Sequence, residues 1–264
     1  MTSHDWLYPT FSSLIDKSED NIYVSICRGE LMDSISQIHR KFSQALQTMR
    51  NLVKWRNEEG NFKRHENKIL VSNDNIIERF FREHAVGFYV DIGAGRPVSN
   101  SLTYPLYQKG WNGICFDPLP ENRNLHKFFR PRDKFIRSLV GVGPKKMLYF
   151  HLKHYSYSTT SEVVAAKLIL DGTARLVKKN LVDQIPLSDY MKSIPKEMAT
   201  FLKIDTEGND LEVLKTNDWQ LFKPDLICVE TWESTRVAIS NFLNEMGYSM
   251  IGKTDDNAFF AVKR

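Results

Sequence analysis

Short apolar runs recur along most of the chain, each closed by an acidic or turn residue and followed by a stretch with helical spacing. Residues 88–92, Phe-Tyr-Val-Asp-Ile, are too short for a helix and apolar enough for a parallel strand buried on both faces. Residues 112–116, 135–140, 147–152, 200–204 and 226–230 read the same way. Between them, 73–84, 104–109, 121–129, 211–215 and 234–246 predict helices, with a shorter one at 187–191. Ser99, Asn100 and Ser101 supply capping side chains before the helix at 104–109. Residues 154–161 are rich in Ser, Thr and Tyr, which predicts a binding loop, and 176–185 has no firm period. The runs at 248–253 and 258–262, joined by Thr254-Asp255-Asp256-Asn257, predict a β-hairpin. Together these blocks predict an α/β fold, a doubly wound, mostly parallel sheet with one antiparallel strand from the C-terminal hairpin.

The first quarter of the chain follows another pattern. Leu31, Ile35, Ile38, Phe42, Ala45, Met49 and Leu52 are spaced by three and four, which predicts a helix over about 30–55 with one apolar stripe. The stripe is expected to pack on the chain's own larger domain; a homo-oligomer seam is the alternative. Arg40, Lys41, Arg50, Lys54 and Arg56 make its other face basic, a solvated face or a peripheral contact with anionic lipid. The polar stretch after Gly60 sets the expected boundary, with a helical extension over 1–67 and the α/β domain over 68–264.

The first strand ends in Asp91-Ile92-Gly93-Ala94-Gly95. Two glycines permit a tight turn and let a ligand approach the backbone at the carboxyl end of a strand. A dinucleotide fingerprint needs a third glycine, but Val98 stands there, which disfavours a nicotinamide cofactor. A carboxylate before Gly-x-Gly suits a cationic ligand such as S-adenosylmethionine. The second strand ends in Asp117-Pro118, about twenty residues on, where a carboxylate is placed to accept both hydroxyls of a ribose. An N-cap for the following helix is the structural reading of the same residue. Residues 200–204 lead into Asp205, Glu207 and Asp210 around Gly208, and the strand at 226–230 ends in Glu230.

With 264 residues, 42% of them hydrophobic, the chain is long enough to bury a substantial core. No run reaches the roughly 18 apolar residues of a membrane-crossing helix. Cys27, Cys115 and Cys228 are odd in number, and the latter two fall inside strands, so they read as buried thiols of a cytoplasmic protein. A formal net charge of +4 is too modest to indicate nucleic acid. His126, His151 and His154 lack metal-ligand spacing.

Three blocks in order, Phe-Tyr-Val-Asp-Ile-Gly-Ala-Gly, Gly-Trp-Asn-Gly-Ile-Cys-Phe-Asp-Pro-Leu-Pro-Glu-Asn and Phe-Leu-Lys-Ile-Asp-Thr-Glu-Gly-Asn-Asp-Leu-Glu-Val-Leu, carry a resemblance. From about residue 68 to the end, the chain resembles the FkbM-type family of S-adenosylmethionine-dependent methyltransferases. The resemblance implies a class I methyltransferase fold and O-methylation of a hydroxyl on a sugar, glycan or related small molecule. Two positions depart from the family's usual pattern. Arg96-Pro97 replaces the customary Asn and further glycine, and Asp117 replaces a longer Glu. The expected cofactor contacts are Asp91, Gly93, Gly95, Ser101, Asp117, Pro118, Ser138 and Asp205. The expected catalytic carboxylates are Asp205, Glu207 and Glu230, one of them a general base. No metal is expected; Mg²⁺ held by Asp205 and Glu230 is the less favoured alternative, since the spacing shows no third ligand. Lys203 reads either as a snorkelling lysine or as a group on the cofactor side. RNA methylation and a non-catalytic cofactor-binding scaffold are the competing functions.

Overall fold

The computed structural model describes residues 68–153 and 157–263, with isolated helical positions between Asp33 and Arg50. The chain divides into two units, Met1–Gly60 and Asn61–Arg264. The apolar stripe of the extension, Cys27 and His154 lie outside the described residues.

After helix α1 (Lys68–Phe80) come β1 (Gly87–Ile92), α2 (Tyr104–Gln108), β2 (Asn112–Phe116), α3 (Pro120–Phe129) and β3 (Lys134–Ile136). An excursion follows, made of β4 (Leu139–Val140), β5 (Lys145–Leu152), α4 (Glu162–Leu170) and β6 (Leu176–Ile185). A 3₁₀ turn (Leu187–Ser193) returns the chain to β7 (Ala199–Ile204), α5 (Asp210–Leu214), β8 (Leu226–Glu230), α6 (Glu233–Glu245) and the hairpin β9 (Tyr248–Lys253) and β10 (Asn257–Val262). The main sheet has seven strands in the order β3-β2-β1-β7-β8-β10-β9, parallel except for β10, which runs antiparallel to both neighbours. This is the doubly wound, mostly parallel α/β sheet that the strand and helix blocks predict.

The central strands read as unbroken apolar runs because both faces are covered. Phe88, Val90 and Ile92 of β1 pack with Leu202 and Ile204 of β7 on one side. Tyr89 and Phe201 pack on the other, with Phe81 and Trp111. No helix among the described residues is long and apolar enough to cross a membrane.

Three expectations need correction. The strand at 135–140 is two strands in different sheets. The Ser138 backbone N–H turns back to the Ile136 carbonyl at 3.0 Å, and the chain leaves the main sheet for a three-stranded one in the order β4-β6-β5. Helix α4 has no counterpart in the predicted elements, and 176–185 is its neighbouring strand. Ser99, Asn100 and Ser101 do not cap α2, whose N-cap residue, Thr103, makes no capping bond.

Candidate functional site

The carboxyl ends of β1, β2 and β7 open into one cavity of about 410 Å³, within the range of small-molecule sites. Gly93, Ala94 and Gly95 form one wall, Asp117, Pro118, Leu139 and Val140 a second, and Lys203, Asp205 and Glu207 a third. The inner face of the small sheet, Lys145, Met147, Tyr149 and Gln184, closes the far side.

The glycine turn is held by backbone. The N–H groups of Gly93 and Ala94 both donate to the Phe116 carbonyl at 3.0 Å, and Asp205 N–H donates to Ile92 at 3.1 Å. Gly93 has φ +72°, and a Cβ there would run into the Asp205 carbonyl oxygen. Gly93→Ala is therefore expected to lower the melting temperature by several degrees, since the clash adds to the left-handed backbone cost. An unchanged melting curve would show that the turn can move aside.

Asp117 organises the turn from the second strand. Its Oδ2 accepts from Gly95 N–H at 3.1 Å, and its Oδ1 accepts from Leu119 N–H at 2.8 Å and Asn122 Nδ2 at 2.9 Å. A carboxylate offers about four acceptor positions, so one remains, on Oδ2. That is room for one ligand hydroxyl, where two were expected. Burial raises the Asp117 pKa to about 6 against the lowering effect of its donors. Pro118 lines the cavity, but the helix begins two residues later, at Pro120.

Asp91 lies beneath the cavity wall, 1% exposed. Thr103 Oγ1 donates to its Oδ2 at 2.5 Å, and Lys203 Nζ stands 3.5 Å from its Oδ1. Lys203 is a bridge. Its ammonium also donates to the Gly93 carbonyl at 2.9 Å and pairs with Asp205 Oδ2 at 3.4 Å. Burial works against its charge, but Asp205 and Asp91 outweigh burial and raise its pKa. Lys203 thus ties the glycine turn to the acidic loop and lines the cavity, its ammonium turned to buried partners rather than to solvent.

Ser101 and Ser138 are not brought into the cavity. Ser101 Oγ accepts from the guanidinium of Arg130 at 3.1 Å, in a buried network below the turn. Ser138 Oγ donates to the Asp183 carbonyl at 2.7 Å and marks the crossing between sheets. Both are short polar side chains whose backbone positions suggested a ligand and whose neighbours satisfy them instead.

Asp205, Glu207 and Glu230 do converge, with one carboxylate oxygen of each lying within 4.8 Å of the other two. Burial, then repulsion from Asp205 and Asp210, raises Glu207 to about 8. Burial, then Asp205 and Glu207, raises Glu230 to about 9, and its Oε2 has no hydrogen-bond partner. Asp210 has a structural task. It accepts from Thr206 N–H at 2.8 Å, Thr206 Oγ1 at 3.1 Å and Gly208 N–H at 3.3 Å, fixing the loop in which Glu207 takes φ +56°. With Glu207 alongside Asp205 and Glu230, the trio offers the third oxygen ligand that spacing alone does not reveal, so the set can hold a divalent cation as well as a proton.

Several residues of the site carry no signal in the sequence. Arg130 ends α3 fully buried, paired with Asp133 at 2.6 Å, and bonds Pro97 O, Ser101 and Thr103. His126 Nε2 meets the Gly95 carbonyl at 3.1 Å, its pKa lowered to about 3 by burial and then by Arg130, so the ring is neutral. Asn209 Nδ2 donates to Thr160 Oγ1 at 3.1 Å and links the acidic loop to the excursion. Only the long-range pairing puts them there.

A family model described as the methyltransferase FkbM domain matches residues 91–250, more than half of the chain. No protein of curated function matches. Among solved structures the chain is similar to a Pyrococcus horikoshii protein provisionally assigned as an RNA methyltransferase (10% identity, 74% of this chain and 84% of that one, TM-score 0.41). It is similar also to precorrin-6y C5,15-methyltransferase from Geobacter metallireducens (13%, 72% and 87%, 0.39). A third is 1,6-didemethyltoxoflavin-N1-methyltransferase from Burkholderia thailandensis, solved with S-adenosylhomocysteine (10%, 83% and 87%, 0.38). At these scores none bears on what this chain methylates.

Proposed function

The chain belongs to the FkbM methyltransferase family and uses S-adenosylmethionine, and we propose that it methylates a hydroxyl of a sugar, glycan or related small acceptor. The donor set of the cavity suits that cofactor. Leu139 and Val140 offer an apolar wall for the base, Asp117 Oδ2 an acceptor for a ribose hydroxyl, and Asp205 negative charge toward a sulfonium. The cofactor supplies a methyl group already activated for displacement, which leaves the protein chiefly to position the acceptor.

A sugar hydroxyl is a poor nucleophile near neutral pH, and its proton needs a destination. The observation that carries the proposal is the convergence of three carboxylates, two of which, Asp205 and Glu207, line the cavity, with the Glu207 pKa raised to about 8. Lys203 neutralises charge on Asp91 and Asp205, and Glu230 stays protonated in the neutral range. Glu207, which ionises as the pH approaches 8, before Glu230 does, is then the group able to take the hydroxyl proton as the acceptor attacks, a contribution typically worth about 10²–10⁴-fold. Mg²⁺ on the same trio would instead lower the hydroxyl's own pKa. The cytoplasm as workplace and no nucleic-acid partner complete the proposal, on the sequence features already given. The test is mass spectrometry of glycans and small glycosides from cells with and without the gene. The proposal expects species lighter by one methylene in the knockout; methyl loss confined to RNA would overturn it.

A further inference from the structure

We propose that the outer face of the β4–β6 excursion is a docking surface for an anionic lipid membrane. Half of the exposed large hydrophobic side chains among the described residues lie between Leu139 and Ile185, so the exposure is concentrated on this one substructure. Helix α4, Glu-Val-Val-Ala-Ala-Lys-Leu-Ile-Leu, is apolar nearly all round. Such a helix is ordinarily buried, yet Val163 is 79% exposed and Leu170 87%. On β6 the period of two puts Val177, Lys179 and Leu181 on the face opposite the cavity, and all three are exposed. Leu148 pairs with Leu181 across the β5–β6 ladder on that same face and is 40% exposed. Lys179 joins the two elements, its Nζ 3.9 Å from Glu162 in the first turn of α4.

Charge identifies the occupant. The segment from Leu139 to Ile185 as a whole carries seven Lys and Arg against three Asp and Glu, a net positive field within a Debye length of the surface, and Lys146, Lys167 and Lys179 stand exposed on the outer side itself. Lysines among aliphatic tips are what an anionic interface takes up, the tips entering the headgroup boundary and the ammonium groups meeting phosphate. Protein interfaces are depleted in lysine at their centres, which argues against a second copy of the chain. Val163, Leu170, Val177 and Leu181 offer no ring on which a base could stack, which argues against single-stranded nucleic acid.

The full chain should float with vesicles of phosphatidylcholine mixed with phosphatidylglycerol at least about tenfold better than with phosphatidylcholine alone, and less as salt rises. Val163→Glu combined with Leu170→Glu and Leu181→Glu should lose about tenfold or more of that binding, with S-adenosylhomocysteine binding retained as the sign of an intact fold. Lys167→Glu with Lys179→Glu keeps the apolar face and should lose the anionic preference. Wild-type flotation by both variants would overturn the proposal and place any lipid contact elsewhere. Equal binding to both vesicle types would overturn it, as would light scattering that shows a wild-type dimer broken by the triple variant.

Discussion

Glu207→Gln is expected to cut turnover at least about a hundredfold while cofactor affinity changes little. Asp205→Asn should also cut turnover, with S-adenosylmethionine bound more weakly, as expected of a charge facing the sulfonium. The wild-type rate should rise with pH and level off above about 8, because only the ionised Glu207 can accept a proton and its pKa is raised to about 8 by burial and by Asp205 and Asp210. Stability gives an independent reading of the same group. A carboxyl raised in the folded state costs stability as pH rises from its ordinary 4.5 towards 8. Glu207→Gln should therefore melt higher than wild type at pH 8 and alike below pH 4.5. Full activity in both variants would remove the base assignment. Activity abolished by EDTA and restored by Mg²⁺ would give the trio to a metal.

Arg130→Met should cost about 3–5 kcal/mol of stability, the usual price of stranding one partner of a buried ion pair. Both side chains of the Arg130–Asp133 pair are fully buried, and the same guanidinium holds Pro97, Ser101 and Thr103, with Thr103 in turn holding Asp91. Without it, Asp133 stays enclosed with the Tyr89 hydroxyl at 2.6 Å and Gly113 N–H at 3.1 Å as donors but no opposing charge. Burial already raises the Asp133 pKa and Arg130 lowers it. Removing Arg130 raises it further, so the loss should deepen as pH climbs above the ordinary carboxylate range. Adding Asp133→Asn should recover part of it. Denaturant midpoints at two pH values measure both effects, and a loss independent of pH would assign the damage to packing rather than to charge.

What the sequence discloses follows from burial. The four central strands are apolar on both faces and end in acids or turn residues, so β1, β2, β7 and β8 stand out, and with them Gly93, Gly95, Asp117, Asp205, Glu207 and Glu230. The excursion is much less legible. Helix α4 shows no amphipathic period because its apolar residues are not confined to one side, and β3 and β4 look continuous until the backbone turns at Ser138. Ser101 and Ser138 misled for a common reason: position along the chain locates a backbone, while long-range neighbours decide which way a short polar side chain turns. Asp91 reads as an acid at the ligand and proves to be a buried partner of Lys203 and Thr103. Nothing local in Arg130-Pro131-Arg132-Asp133 distinguishes the arginine that is fully buried from the one that is exposed.

Isothermal calorimetry of S-adenosylhomocysteine with wild type, Asp117→Ala and Glu207→Gln tests the central claim, that the cofactor sits on the glycine turn beside a separate proton acceptor. The account predicts micromolar binding by wild type, about −8 kcal/mol. It predicts a loss of roughly 1–3 kcal/mol in Asp117→Ala and little change in Glu207→Gln. No binding by folded wild type, tighter binding of NAD, or undiminished affinity in Asp117→Ala would contradict it.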